Sequence, residues 1–171
     1  MPLPQPTRRR FLAGSLAVCW STAQAAPLAA PSGPVVLSIS GRINRSNAPG
    51  RADFDLAMLA ALPQHEIVTH TPWHSGVQSF SGPLLREVLA QAGAGGRMLV
   101  ATALNDYRCE IPFEDAQRFD VIIAHRMNGQ TMRVRDKGPL FVVYPFDSDA
   151  QLRTDRYYVR SAWQLRSLQV Q

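Results

Sequence analysis

The chain is expected to fold as one α+β domain with a largely β core and a few short helices. Three observations predict this. The length, 171 residues, suits a single domain. Only two windows carry helical apolar spacing, and proline or glycine stops each of them. From residue 98 onward, short apolar and β-branched runs alternate with turn residues, the pattern of successive strands. With 46% hydrophobic and 18% charged residues, the composition fits a packed domain and excludes a disordered chain. No apolar run reaches the roughly 18–20 residues that span a bilayer, so an integral membrane protein is not expected.

Residues 1–26 read as an export signal. Thr7-Arg8-Arg9-Arg10-Phe11-Leu12 precedes a short apolar stretch, and Ala23-Gln24-Ala25 offers an A-x-A cleavage site. The arginine cluster is of the twin-arginine type, so the expected location is periplasmic or otherwise exported. Removing Arg8, Arg9 and Arg10 from the 18 basic residues leaves 15 against 13 acidic, a net charge of +2. That balance gives no reason to expect nucleic acid as a partner. Cys19 falls inside the signal, so Cys109 is the sole cysteine after cleavage and no intramolecular disulfide can form.

The remaining elements follow in order. Residues 27–33 are small and proline-rich and are expected as a flexible linker before a domain over 34–171. A strand over 35–40 and a polar loop over 42–50 come next. Phe54, Met58, Leu59 and Leu62, with Asp53 and Asp55 in a first turn, predict a helix over 52–62 stopped by Pro63. Residues 65–71 read as a strand and 72–81 as a loop holding Trp73, His74 and Phe80. Gly82-Pro83 opens a helix over 84–92, with Leu84, Leu85, Val88 and Leu89 on its dry face. Strands are expected over 98–103, 107–111, 120–125 and 140–144, with a helical turn over 113–118. Asn128-Gly129 signals a tight hairpin into 130–133. Residues 151–158 suit a helix or a loop, and 162–170 is expected to close the sheet.

Common catalytic motifs are missing. There is no G-x-G-x-x-G after a strand, no phosphate-binding loop, no C-x-x-C and no G-x-S-x-G. His65, His70 and His74 do not share a helix face, because Pro72 interrupts it, so a zinc site is not expected there. Two loops combine unusual chemistry. Trp73-His74-Ser75-Gly76 joins an indole to an imidazole, and Asn105-Asp106-Tyr107-Arg108 joins an amide, a carboxylate, a phenol and a guanidinium. An Asx turn at Asn105-Asp106, and Trp73 as a lid over the core, explain the same residues structurally. Arg133, Arg135 and Lys137 alternate, so along a strand they would share one face and suit an anion.

The order of several motifs resembles the molybdopterin-binding domain of sulfite oxidase-like enzymes. Trp73, Gly82-Pro83-Leu84-Leu85, Val88-Leu89, Ala103-Leu104-Asn105-Asp106-Tyr107, Ile111-Pro112, Asn128-Gly129, Asp136-Lys137-Gly138-Pro139 and Pro145 carry the likeness, over roughly residues 34–146. The resemblance implies a mixed α+β fold and a molybdenum cofactor held by a pterin dithiolene plus one protein cysteine. In the family that cysteine lies upstream of the Gly-x-x-Leu-x-x-Leu helix, where this chain reads His70-Thr71-Pro72-Trp73. Cys109 lies on the far side of the helix, and Lys137 and Phe141 stand where the enzymes commonly carry histidine and arginine.

The expected function is therefore a periplasmic, cofactor-free binding or sensory module for a small, anionic ligand, with a periplasmic or membrane sensor protein as a partner. Its ligand-binding residues would be Trp73, His74, Asn105, Asp106, Tyr107, Arg108, Arg135 and Lys137. The alternative is an active molybdopterin oxidoreductase with Cys109 or solvent as the metal ligand.

Overall fold

A computed structural model describes residues 27–171. The export signal expected at 1–26 lies outside the described residues. Strands β1 (Val35–Gly41), β2 (Arg51–Asp55), β5 (Met98–Ala103), β6 (Arg108–Pro112) and β11 (Leu165–Val170) make one sheet, in the order β2-β1-β11-β5-β6. Strands β3 (His65–His70), β4 (Val77–Gly82), β8 (Arg126–Met127) and β9 (Gln130–Thr131) make a second. Between them runs a two-stranded ladder of β7 (Ile122–Ala124) and β10 (Phe141–Val143). The helices are short: α1 (Leu56–Ala60), α2 (Leu85–Gln91), α3 (Phe113–Arg118) and α4 (Asp155–Tyr158).

The β7–β10 ladder explains the core. Side chains of a strand alternate between its faces. Ile123 and Val142 enter the main core with Leu85, Val88, Leu89, Leu99 and Leu168. Their neighbours Ile122, Ala124, Phe141 and Val143 enter a smaller core with Ile67 and Phe80 beneath the second sheet. A strand dry on both faces reads as a continuous apolar run, which is what residues 121–124 and 140–144 show. Gly82 lets β4 pass against β7: a Cβ there would meet the Ile123 carbonyl oxygen at 2.0 Å.

Three expectations change. The helix over 52–62 is a strand followed by a short helix. Arg51–Asp55 pairs with β1, burying Ala52 and Phe54, while Ser38 and Arg51 bond Asp53 at 2.6 and 2.9 Å. These tertiary partners override the helical spacing, which bridged two elements. The loop over 72–81 contains β4, paired with β3 through six residues. The final strand joins the sheet as expected, and it does so at the centre: β11 runs parallel to β1 and antiparallel to β5. Arg133, Arg135 and Lys137 do not share a strand face, because Val134–Asp136 forms a 3-10 turn that fans them apart. Arg133 instead bonds Asp136 at 2.9 Å.

Residues 27–33 differ from a flexible linker. Leu28 is buried in the main core. The Asp55 carboxylate accepts the N–H groups of Ser32 and Gly33 at 2.7 and 2.8 Å, and that of Met58 at 2.8 Å as the N-cap of α1. The Met58 and Gly33 N–H groups hold the Asp55 pKa down, at about 2, against the opposing effect of desolvation. A folded pKa below the unfolded one stabilises the fold above the unfolded value of about 3.9, and that contribution fades as pH falls toward the folded value. Urea midpoints measured from about pH 5 to about pH 2 should fall less steeply for Asp55→Asn than for the wild type.

A buried charge network ties α3 to the end of α4. The buried Asp115 accepts the Tyr144 hydroxyl and an Arg160 N–H, both at 2.7 Å. Burial and the Asp115 charge push the Tyr144 phenol pKa far upward, so it stays a neutral donor. Asp115→Ala should cost about 3–5 kcal/mol in chemical denaturation, because it strands a largely buried guanidinium. Tyr144→Phe, which leaves the ion pair intact, should cost about 1–2 kcal/mol.

Candidate functional site

The site is built where three distant chain segments meet. Beyond β3, the turn over 71–76 presents Trp73. Between β5 and β6, a tight turn presents Asn105 and Tyr107: the Asn105 Oδ1 accepts the Tyr107 N–H at 3.2 Å, and Asp106 sits at φ 65°. After α4, Ser161 donates its hydroxyl to the Tyr157 carbonyl at 2.9 Å, bending the chain so that Tyr158, Val159 and Ser161 face the same space. Trp163 completes the wall, bridged to Phe141 of β10.

These residues line a cavity of about 270 Å³. Trp73 meets Trp163 edge to face at 5.3 Å between ring centroids, Tyr158 at 6.0 Å and Phe146 at 6.4 Å. The Tyr107 hydroxyl donates to the Val159 carbonyl at 3.0 Å, strapping the β5–β6 turn to the opposite wall. Burial, with a smaller effect from Cys109, raises the pKa of that phenol, so the strap is neutral.

Two polar groups stand beside this wall. The Lys137 ammonium lies 4.0 Å from the centre of the Trp163 ring, a cation–π contact. The His74 Nδ1 is 2.7 Å from the Thr71 Oγ1. Burial first, and the Lys137 charge second, lower the His74 pKa, so its ring is neutral at neutral pH.

Of the residues expected from sequence, Trp73, Asn105 and Tyr107 line the cavity, and His74 and Lys137 adjoin it. Asp106 turns away to an ion pair with Arg166 at 2.6 Å. Arg108 is exposed on β6 and Arg135 lies 3.9 Å from Asp136; neither borders the cavity. His65, His70 and His74 go to separate partners, respectively Glu87 at 3.7 Å, Asp147 at 2.8 Å and Thr71. Sequence reasoning missed Tyr158, Val159, Ser161 and Trp163 as lining residues. The aromatic cluster of Tyr157, Tyr158 and Trp163 in a polar stretch was the available signal.

The cofactor implied by the resemblance can be tested against these groups. Molybdenum bound through a pterin dithiolene needs a soft thiolate, and its phosphate needs several cationic or N–H donors. Among the described residues no group of three or more histidine, cysteine, aspartate or glutamate side chains could hold a metal ion. Burial pushes the Cys109 thiol up to about 11, partly offset by Arg160, so it is protonated at neutral pH. Its sulfur faces the Arg160 carbonyl at 3.8 Å and packs against the main core. The cavity lining carries neither a thiol nor a cation. The residues present do not fit the cofactor.

Comparison with known proteins places the fold. In structure the chain is similar to the sulfane dehydrogenase SoxCD from Paracoccus pantotrophus, with a TM-score of 0.59 and 19% sequence identity. The match covers 78% of this chain and 37% of that one, so the chain spans little more than a third of that protein. At such identity the likeness shows the fold alone. No curated protein matches the chain. Residues 37–147 match the family described as the oxidoreductase molybdopterin binding domain. The chain therefore belongs to that family and carries the sulfite oxidase-like fold.

Proposed function

We propose that the protein is an exported, cofactor-free member of its family that binds a small ligand in the periplasm and passes that state to a periplasmic or membrane sensor protein. The aromatic cavity is the observation that carries this reading. Trp73, Tyr107, Tyr158 and Trp163 supply flat apolar walls, and the Asn105 amide and Ser161 hydroxyl supply neutral orienting groups. Small-molecule sites have this character, mostly apolar with few convergent polar groups. The protonated Cys109, turned to a backbone carbonyl, supports the same reading.

Family membership favours a second reading, a molybdopterin oxidoreductase that uses Cys109 or solvent as the metal ligand. Protein purified from a host able to make the cofactor decides between them. Molybdenum and oxidised-pterin content should both stay far below stoichiometric. Near-stoichiometric metal and pterin, lost in Cys109→Ser, would establish the oxidoreductase instead.

The Tyr107 strap gives a second expectation. Tyr107→Phe removes one hydrogen bond at a half-exposed site, so thermal stability should fall by no more than about 1 kcal/mol. Ligand uptake should weaken several-fold, because the wall that the strap holds becomes mobile. With the signal removed, Trp73 and Trp163 are the only tryptophans, and both line the cavity. Tryptophan fluorescence of the folded variant and wild type therefore reads cavity occupation directly.

A further inference from the structure

Lys137 is an unusual cation in this fold. Its ammonium has three N–H donors, yet among the described residues its side chain makes no ion pair or hydrogen bond, only the contact with Trp163. The neighbouring carboxylate is already taken, since Asp136 is bonded by Arg133 at 2.9 Å and lies 3.9 Å from Arg135. Its backbone is held in place as well: Lys137 sits at φ 69°, and its carbonyl accepts the Gln164 N–H at 2.9 Å, one residue from Trp163. The charge is thus fixed beside an indole that walls the cavity and is only half-buried.

His74 adds a second donor. Thr71 is buried, and its hydroxyl proton has no acceptor among the described residues other than the His74 Nδ1, 2.7 Å away, while its oxygen accepts the Trp73 N–H at 3.4 Å. Donation from Thr71 to Nδ1 sets the tautomer, leaving the proton on Nε2. Nε2 has no partner among the described residues. His74 packs against Phe80 and Phe141, at ring distances of 5.8 and 6.5 Å, and Phe141 in turn contacts both Trp73 and Trp163. The Lys137 ammonium and the His74 ring therefore both pack against rings of the same aromatic cluster, close enough for the Lys137 charge to act on His74, and neither is part of the cavity lining.

We infer that the cavity's ligand is a planar organic acid, its ring held between the aromatic walls and its carboxylate taken by Lys137 with help from the His74 N–H. This inference rests on the cavity being a ligand site, as proposed above. Aromatic faces account for a flat apolar body, and a carboxylate offers the oxygen acceptors that an unpaired ammonium and a neutral imidazole N–H lack. Because Asn105 and Ser161 are neutral, the cavity itself contributes no charge that competes with Lys137.

The experiment compares benzoate and indole-3-carboxylate with their uncharged amides, by tryptophan fluorescence titration of the full mature protein. The wild type should prefer the acids by at least about tenfold, the scale of one charge-assisted hydrogen bond. Lys137→Met should erase that preference while keeping amide affinity, and Lys137→Arg should retain most of it. Thermal melts of each variant confirm that the fold is intact. Equal binding of acids and amides by the wild type, or an undiminished preference in Lys137→Met, would overturn the inference and leave the cavity as a site for neutral ligands. Binding of neither class would overturn both this inference and the aromatic ligand site on which it rests.

Discussion

The contact on which the rest of the structure depends is the packing of the Trp73 indole. It touches both hydrophobic cores at once, the main one under the five-stranded sheet and the smaller one under the four-stranded sheet. Phe141, Phe146, Tyr158 and Trp163 meet it edge to face, with centroid separations of 5.3–6.4 Å. Edge-to-face contacts place the positive ring edge on a negative face, so orientation as well as burial is fixed by the cluster. Trp73 comes from the turn after β3, Phe141 and Phe146 from the region of β10, and Tyr158 and Trp163 from the last segment. One side chain thereby sets the relation of both sheets to the chain end, and the same side chain forms a wall of the cavity.

The β7–β10 ladder makes that arrangement possible. It has a core on each face, so its residues cannot be wetted on either side and its ends deliver side chains in two directions. Phe141 points into the smaller core and Val142 into the larger. The central place of β11 then fixes the last segment, since a strand paired on both edges has little freedom to slide. Asp115, Tyr144 and Arg160 add a buried ionic contact immediately before Ser161, which stiffens the stretch that supplies three of the lining residues.

The fold and the chemistry of the site point in different directions, and that contrast is informative. The architecture is that of a molybdopterin-binding domain. The thiol that remains is held in its protonated form, half-buried against the core, while the cavity presents rings, an amide and a hydroxyl. A fold supplies positions, and the side chains at those positions decide what is bound. Here the positions hold aromatic rings and neutral polar groups, and Lys137 stands against the Trp163 ring with no ion pair or hydrogen bond among the described residues.

Much of this was legible in the residues alone. The α+β class, the family and the helix over 84–92 followed from local patterns: turn residues, apolar runs and the order of short motifs. Trp73, Asn105 and Tyr107 were identified because unlike polar and aromatic groups crowded into two loops. The strand at Arg51–Asp55, the pairing of β4 with β3 and the central position of β11 were decided only in three dimensions, because backbone hydrogen bonds to remote strands outweigh local spacing. The opposite wall of the site, from Tyr158 to Trp163, was hidden for the same reason. Sequence determined which chemical groups the protein owns and the class of fold they can build. Tertiary structure alone decided which of them meet, since a cavity lined by residues 73, 105, 107, 158, 159, 161 and 163 exists only once long-range packing has paid the entropy of bringing those segments together.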